Sequence, residues 1–207
     1  MRPLPRLHAV TDTAVLALPD LGARAAAIAA LGSAVALHAR DRTASARTLA
    51  EATERFLALA RPPEAAVFVN ARADLAAAAS TQGLQLGTED LSVADARSIF
   101  PRGWIGRSAH SPAEAEAAIA EGADYLMVGS VFATGSHPGQ AAAGIELVRF
   151  AATLGHPVIA IGGITIERVA ELKAAGAWGI AAITALWHAD DPAAAARALL
   201  APWMEEG

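Results

Sequence analysis

The chain has 207 residues, enough for one large domain, and no cysteine, which excludes disulfides, thiolate metal sites and a thiol nucleophile. Its net charge is −5 and its basic residues are scattered, so it lacks the footprint of a nucleic-acid binder, although a local arginine cluster can still hold a small anion. Apolar residues make up 54% of the chain, yet charges interrupt every run before the ~20 residues of a membrane span, and no apolar segment follows Met1–Arg6 to make a signal peptide. The expectation is a soluble cytoplasmic protein.

Short apolar runs alternate with longer alanine-rich stretches along the chain. A strand at Leu7–Val10 precedes a helix over Asp20–Leu31, and a strand at Ala34–Ala39 precedes one over Ala44–Ala60. Ala66–Val69 leads to Leu75–Thr81, and Leu84–Leu86 to Val93–Phe100. Trp104–Arg107 leads to Pro112–Glu121, where Ser111 is a helix cap and Pro112 takes the first helical position. Tyr125–Val128 precedes Ile145–Leu154, Val158–Ile161 precedes Ile166–Ala175 with Thr165 as its cap, and Gly179–Ile183 precedes Pro192–Trp203. Gly122 and Gly176 sit just past their helices, where a left-handed residue is wanted.

The strands are continuously apolar rather than alternating, as expected when both faces are covered in a parallel sheet. Eight such repeats in 207 residues predict a single α/β domain, a (β/α)₈ TIM barrel spanning the chain. The rival, an open doubly wound sheet, places a glycine-rich fingerprint after its first strand, where this chain has Thr11-Asp12-Thr13. The Gly/Pro/Ala-rich loop Ala133–Ala143 is a candidate functional loop, and its closure as a lid is left open.

Active sites of barrels lie at the C-terminal ends of the strands. Gly162-Gly163 after the seventh strand and Ile183-Thr184 after the eighth form a candidate phosphate corner, since glycine admits close backbone approach and amides at a helix start bind anions. The same glycines would also serve a tight turn that binds nothing. His38, Arg40 and Arg42 share one parity at the end of strand two, and paired guanidiniums suit an anionic group. His110, two residues after Ser108 and next to a helix start, is a candidate acid/base residue or a loop brace. Asn70 and Thr134 end or follow strands three and six. His8, His156 and His188 have no metal-ligand spacing and read as structural or exposed.

Several segments together resemble the thiamine phosphate synthase/TenI superfamily: Leu7-His8-Ala9-Val10-Thr11-Asp12, Gly83-Leu84-Gln85-Leu86-Gly87 with Glu89-Asp90-Leu91, and Gly122-Ala123-Asp124-Tyr125. Val131-Phe132-Ala133-Thr134, Ala160-Ile161-Gly162-Gly163-Ile164 and Ala175-Gly176-Ala177 leading to Ile183-Thr184-Ala185 extend the resemblance over nearly the whole chain. One branch joins a pyrimidine pyrophosphate to a thiazole phosphate and needs magnesium. The other tautomerises a carboxythiazole phosphate without metal. The synthase pattern Gln-x-Arg-x-Lys reads His38-Ala39-Arg40-Asp41-Arg42 here, Asn-Asp-Arg reads Asn70-Ala71-Arg72, and a strand-six lysine falls at His137. Its strand-four acid is retained as Asp90.

Resemblance to the TenI branch rests on the His-x-Arg-x-Arg pattern and on Ile105-Gly106-Arg107-Ser108-Ala109-His110-Ser111, with His38, Ala71 and Arg107 as the discriminating residues. The expectation is therefore a TenI-like thiazole tautomerase with no metal or other cofactor, acting on a small phosphorylated thiazole. His110 would move the proton, and Gly162, Gly163, Ile183 and Thr184 would bind the phosphate. His38, Arg40, Arg42, Asn70, Ser108 and Thr134 would bind the rest of the substrate. The alternatives are a thiamine phosphate synthase, which alone would bring in magnesium, and a non-catalytic barrel that binds a thiazole phosphate in a regulatory role. No nucleic-acid or membrane partner is expected, and a homo-oligomer is possible.

Overall fold

The computed structural model describes residues 3–62, 64–133 and 142–204. In chain order the elements are β1 (Leu7–Val10), α1 (Thr13–Leu16), α2 (Leu21–Ala29), β2 (Val35–Ala39), α3 (Ala46–Ala60), β3 (Ala66–Asn70) and α4 (Ala73–Ala78). They continue as β4 (Gly83–Leu86), α5 (Val93–Ile99), β5 (Trp104–Ala109), α6 (Pro112–Ala120), β6 (Tyr125–Val128) and α7 (Gly144–Ala152). The last are β7 (Val158–Ile161), α8 (Val169–Ala174), β8 (Gly179–Ala182), α9 (Thr184–Trp187) and α10 (Pro192–Met204). Each strand pairs in parallel with the next, and β8 returns to pair with β1 through Leu7 and Ile180. The chain is a (β/α)₈ barrel.

The strand and helix boundaries fall close to those expected, with informative differences. β5 extends to Ala109, which makes Ser108 a strand residue. The four-residue helices α1 and α9 were not anticipated, since neither is long enough to show a periodic pattern. Ser111 caps α6 by accepting the Glu114 N–H at 3.2 Å, and Gly122 and Gly176 take φ of 91° and 93° past α6 and α8. Thr165 does not cap. Its side chain makes no capping bond and instead hydrogen-bonds Glu167, and a 3₁₀ turn, Ile166–Arg168, precedes α8.

Strand parity separates two apolar zones. One parity (Leu7, Leu37, Val67, Leu84, Ile105, Leu126, Val158, Ile180) faces the helices and forms the main core. The other (Val10, Ala36, Phe68, Tyr125, Met127, Ile159, Ala181) fills the barrel itself. Space inside is the governing constraint. A Cβ on Gly83 would lie 2.1 Å from the Phe68 ring, and a Cβ on Gly106 would lie 2.1 Å from Tyr125 Cζ and 2.5 Å from Gln85 Oε1. Glycine at these two strand positions gives two large rings their room.

The Tyr125 hydroxyl is buried without a hydrogen-bond partner. Gly106→Ala is therefore expected to destabilise by about 1–3 kcal/mol through overpacking. Tyr125→Phe removes an unsatisfied buried hydroxyl and is expected to be neutral or stabilising. Urea unfolding midpoints of both variants check the pair.

Candidate active site

The mouth of the barrel is assembled from strand ends. Thr11, just past β1, is fully buried. Its hydroxyl accepts the Arg40 N–H at 2.9 Å and lies 3.0 Å and 2.8 Å from the carbonyl oxygens of His38 and Arg40. One threonine thus fixes the backbone from which the Arg40 guanidinium projects. Arg40 is half-buried and Arg42 exposed. Burial, and then the nearby Arg42 charge, push the Arg40 guanidinium below its ordinary value. Two cations held together, one of them desolvated, make a place where an anion is favourable. Asp12 is occupied locally, accepting the Val15 N–H at 2.9 Å as the cap of α1.

Asn70 ends β3, and its amide meets the ring of His38. His38 itself is fully buried, one layer beneath the mouth, so the expectation that it binds substrate directly is corrected. It lies 2.8 Å from His8, inside a cluster with Phe68 and Tyr125 whose ring centroids are 4.9–6.2 Å apart. Burial drives the His8 ring well below its usual value and pushes His38 down to about 4. His8 and Gln85 are polar residues of the barrel interior that the sequence reading did not assign to the site. Inward parity on a fully buried strand was the available signal.

On β4 and β5, the Gln85 amide donates to Ser108 Oγ at 3.1 Å and to the Leu86 carbonyl at 2.9 Å. Ser108, having accepted this bond, keeps its own O–H for a ligand. Arg107 has the opposite parity. It donates outward to the carbonyls of Leu91 (2.6 Å) and Thr88 (3.1 Å), bracing the β4–α5 loop and facing away from the mouth. His110 is exposed at the rim. Its backbone N–H donates to Glu114 Oε2 at 2.8 Å. Its Nδ1 pairs with the Gly129 carbonyl, so in the neutral ring Nδ1 carries the hydrogen and Nε2 is the free base.

At the candidate phosphate corner, Gly162 and Gly163 take φ of 98° and 63°. A Cβ on either would strike the chain after β6, at 2.6 Å from Ser130 Cα and from the Ala133 carbonyl oxygen respectively. Their first requirement is thus close packing of two loops. The Gly162 carbonyl accepts the Phe132 N–H at 3.1 Å. Because the peptide is trans, the Gly163 N–H is aimed the opposite way, away from that loop. Arg168 stacks 4.3 Å over Phe132 and donates to the Gly163 carbonyl at 2.6 Å, locking the turn. Ile183 and Thr184 stand beside it, where the first N–H groups of α9 lack intrahelical acceptors. Thr134, His137 and most of the Ala133–Ala143 loop lie outside the described residues.

Two positions bear on metal binding. Asp90 turns one carboxylate oxygen onto the Gly87 N–H at 2.6 Å. The Ala71 side chain offers no oxygen, and the residue holds φ of 64°, a left-handed conformation that asparagine and aspartate tolerate better than alanine. Among the described residues no three His, Asp or Glu side chains converge as a metal would require. One carboxylate does not fit a protein-held divalent cation.

The family model described as thiamine monophosphate synthase matches residues 7–186. The chain belongs to this family. It is 47% identical over 148 residues to a thiamine-phosphate synthase of Thermus thermophilus, covering 70% of this chain and 71% of the relative. It is 42% identical over 179 residues to one from Methanoculleus marisnigri, covering 84% of each. The solved thiamine phosphate pyrophosphorylase of Pyrococcus furiosus superposes with a TM-score of 0.83 at 34% identity, covering 97% of this chain and 96% of that one.

These relatives overturn the expectation of a TenI-like tautomerase. The structure supplies the physical reason. Of the three residues that pointed to the tautomerase, His38 is beneath the mouth and Arg107 faces the helices, so neither reports on the reaction. Only Ala71 stands at a strand end in the mouth.

The buried histidines carry a pH signature. Their native values lie below the ordinary value of about 6.5, so beneath that pH the unfolded chain binds protons that the native barrel refuses. Stability is expected to fall as pH is lowered from about 6.5 to 5, above most carboxylate titration, by up to ~1.4 kcal/mol per pH unit for each histidine. Urea unfolding at several pH values should show a shallower decline in His38→Gln. An unchanged slope would remove His38 as its source.

Proposed function

We propose that this protein is a thiamine-phosphate synthase, joining a pyrimidine pyrophosphate to a thiazole phosphate. The observation that carries the reading is identity of 42–47% to enzymes of that name over 70–84% of the chain. Two candidate anion-binding places at the mouth support it. The Gly163, Ile183 and Thr184 corner suits the thiazole phosphate, with the Gly163 N–H and the α9 amides as donors. Arg40, partly desolvated, with Arg42 beside it, suits the pyrophosphate, and Ser108 offers a hydroxyl nearby. Holding both substrates in one mouth converts a bimolecular encounter into a positioned one.

Among the described residues the family's magnesium would have Asp90 alone of the family's two acids to meet it. His110 stands at the rim, where its Nε2 is available to a bound substrate. Ala71 favours a second reading, a barrel that binds a thiazole phosphate without turnover. Both readings predict that ligand raises the melting temperature.

Incubation with both phosphorylated substrates and magnesium separates them. Thiamine phosphate should form at an enzyme-like rate, and protection without product would overturn the synthase assignment. Arg40→Ala should lower kcat/KM by about 10–100-fold, the equivalent of about 1.5–3 kcal/mol for charged hydrogen bonds. Arg42→Ala, at an exposed position, should cost less. Ala71→Asp should fold at least as stably as the parent, because aspartate accepts the left-handed conformation, and should raise turnover in the same assay.

A further inference from the structure

A chain of hydrogen bonds runs through the barrel interior from its floor to its mouth. Pro5 O lies 3.2 Å from His8 Nε2, His8 Nδ1 lies 2.8 Å from His38 Nε2, and His38 Nδ1 lies 2.9 Å from the terminal amide atom of Asn70 assigned as Oδ1. The direction of this chain is decided at its fixed end. A carbonyl oxygen only accepts, so His8 Nε2 must carry the hydrogen. A neutral His8 then has a bare Nδ1, which accepts from His38 Nε2–H, and a neutral His38 has a bare Nδ1 facing Asn70. Both rings are deeply desolvated and sit as neutral imidazoles at pH 7. An amide oxygen at that point would set two acceptors against each other in the interior.

The opposite direction fails too. If His38 Nδ1 donated to Asn70, His8 Nδ1 would have to donate to His38, and a bare His8 Nε2 would face the Pro5 carbonyl. The conflict can be relieved only at Asn70, because an amide can exchange its two ends by rotation and a backbone carbonyl cannot.

We infer that the buried His8–His38 pair is a positioning device: it turns the Asn70 N–H₂ group inward and presents the Asn70 carbonyl oxygen to the barrel mouth. The mouth then meets, beside the Arg40 and Arg42 cations, a hydrogen-bond acceptor suited to a ligand N–H or O–H. Asn70 would thereby distinguish the heterocyclic or hydroxyl part of a ligand from its phosphate oxygens, which only accept. His8 exerts this effect from the floor of the barrel without reaching the ligand.

Long-range ¹H–¹⁵N correlation spectra of the ¹⁵N-histidine-labelled, full-length protein at pH 7 read the ring tautomers directly, independently of the reaction catalysed. Both His8 and His38 are expected as Nε2–H tautomers, each with Nδ1 shifted downfield as a bare ring nitrogen. A His38 ring protonated at Nδ1, alone or together with Nε2, would overturn the inference. Asn70→Ala supplies the second arm. Because the order is imposed by Pro5, both histidines should keep their Nε2–H tautomers when the amide is gone. A switch of His38 in that variant would mean that Asn70 sets the order, and the proposal would fail.

Discussion

The interior of an eight-stranded barrel holds only a few layers of side chains, and every group at the mouth stands on the layer below it. Here that layer is built from rings: His8, His38, Phe68 and Tyr125 meet at centroid distances of 4.9–6.2 Å. They fit because Gly83 and Gly106, in register with Phe68 and Tyr125 on the neighbouring strands, give up their side chains. Polar rings in that place must be neutral and mutually bonded, and so the layer is directional as well as filled. The strand ends above inherit its geometry, with Asn70 resting on His38 and Ser108 on Gln85.

The loops around the mouth obey a related constraint. Gly162 and Gly163 let the turn after β7 lie against Ser130, Phe132 and Ala133 after β6. The bonds that hold this contact also orient the Gly163 N–H. The tight-turn reading and the anion-site reading of the glycine pair are therefore not rivals. Packing one side of the peptide against a neighbour is what frees its other side as a donor. Arg40 is treated the same way, through a buried threonine that spends its hydroxyl on the backbone of the strand that carries it.

The barrel was legible in the sequence because its signal is repetitive. Eight runs apolar on both faces, each followed by a helix-forming stretch, leave little choice of architecture, and small errors at the ends of single elements do not change it. The strand-end residues were legible too, since the fold itself says where to look. What the sequence did not disclose was depth. His38 and Arg40 have the same parity and stand only two residues apart, yet one is sealed under the mouth and the other reaches it. Depth depends on the stagger of β2 against β1 and β3, with His38 level with Val10 and Phe68, and register is a property of the closed sheet.

Parity and depth also explain why family resemblance pointed to the wrong branch. A substitution reports on chemistry only if its side chain faces the reacting groups. Arg107 differs from the synthase pattern on the helix-facing side of β5, where it braces a loop by two carbonyls. His38 differs in the layer beneath, where a histidine can be exchanged for another polar residue provided that the partners above and below remain satisfied. Counted by position, these are departures from an active site. Placed in the barrel, they are adjustments of its support, and they leave Arg40, Arg42 and the turn at Gly163 untouched. Among the described residues Ala71 is the departure that survives this sorting, because its Cβ sits at a strand end in a backbone conformation that an aspartate would hold with less strain.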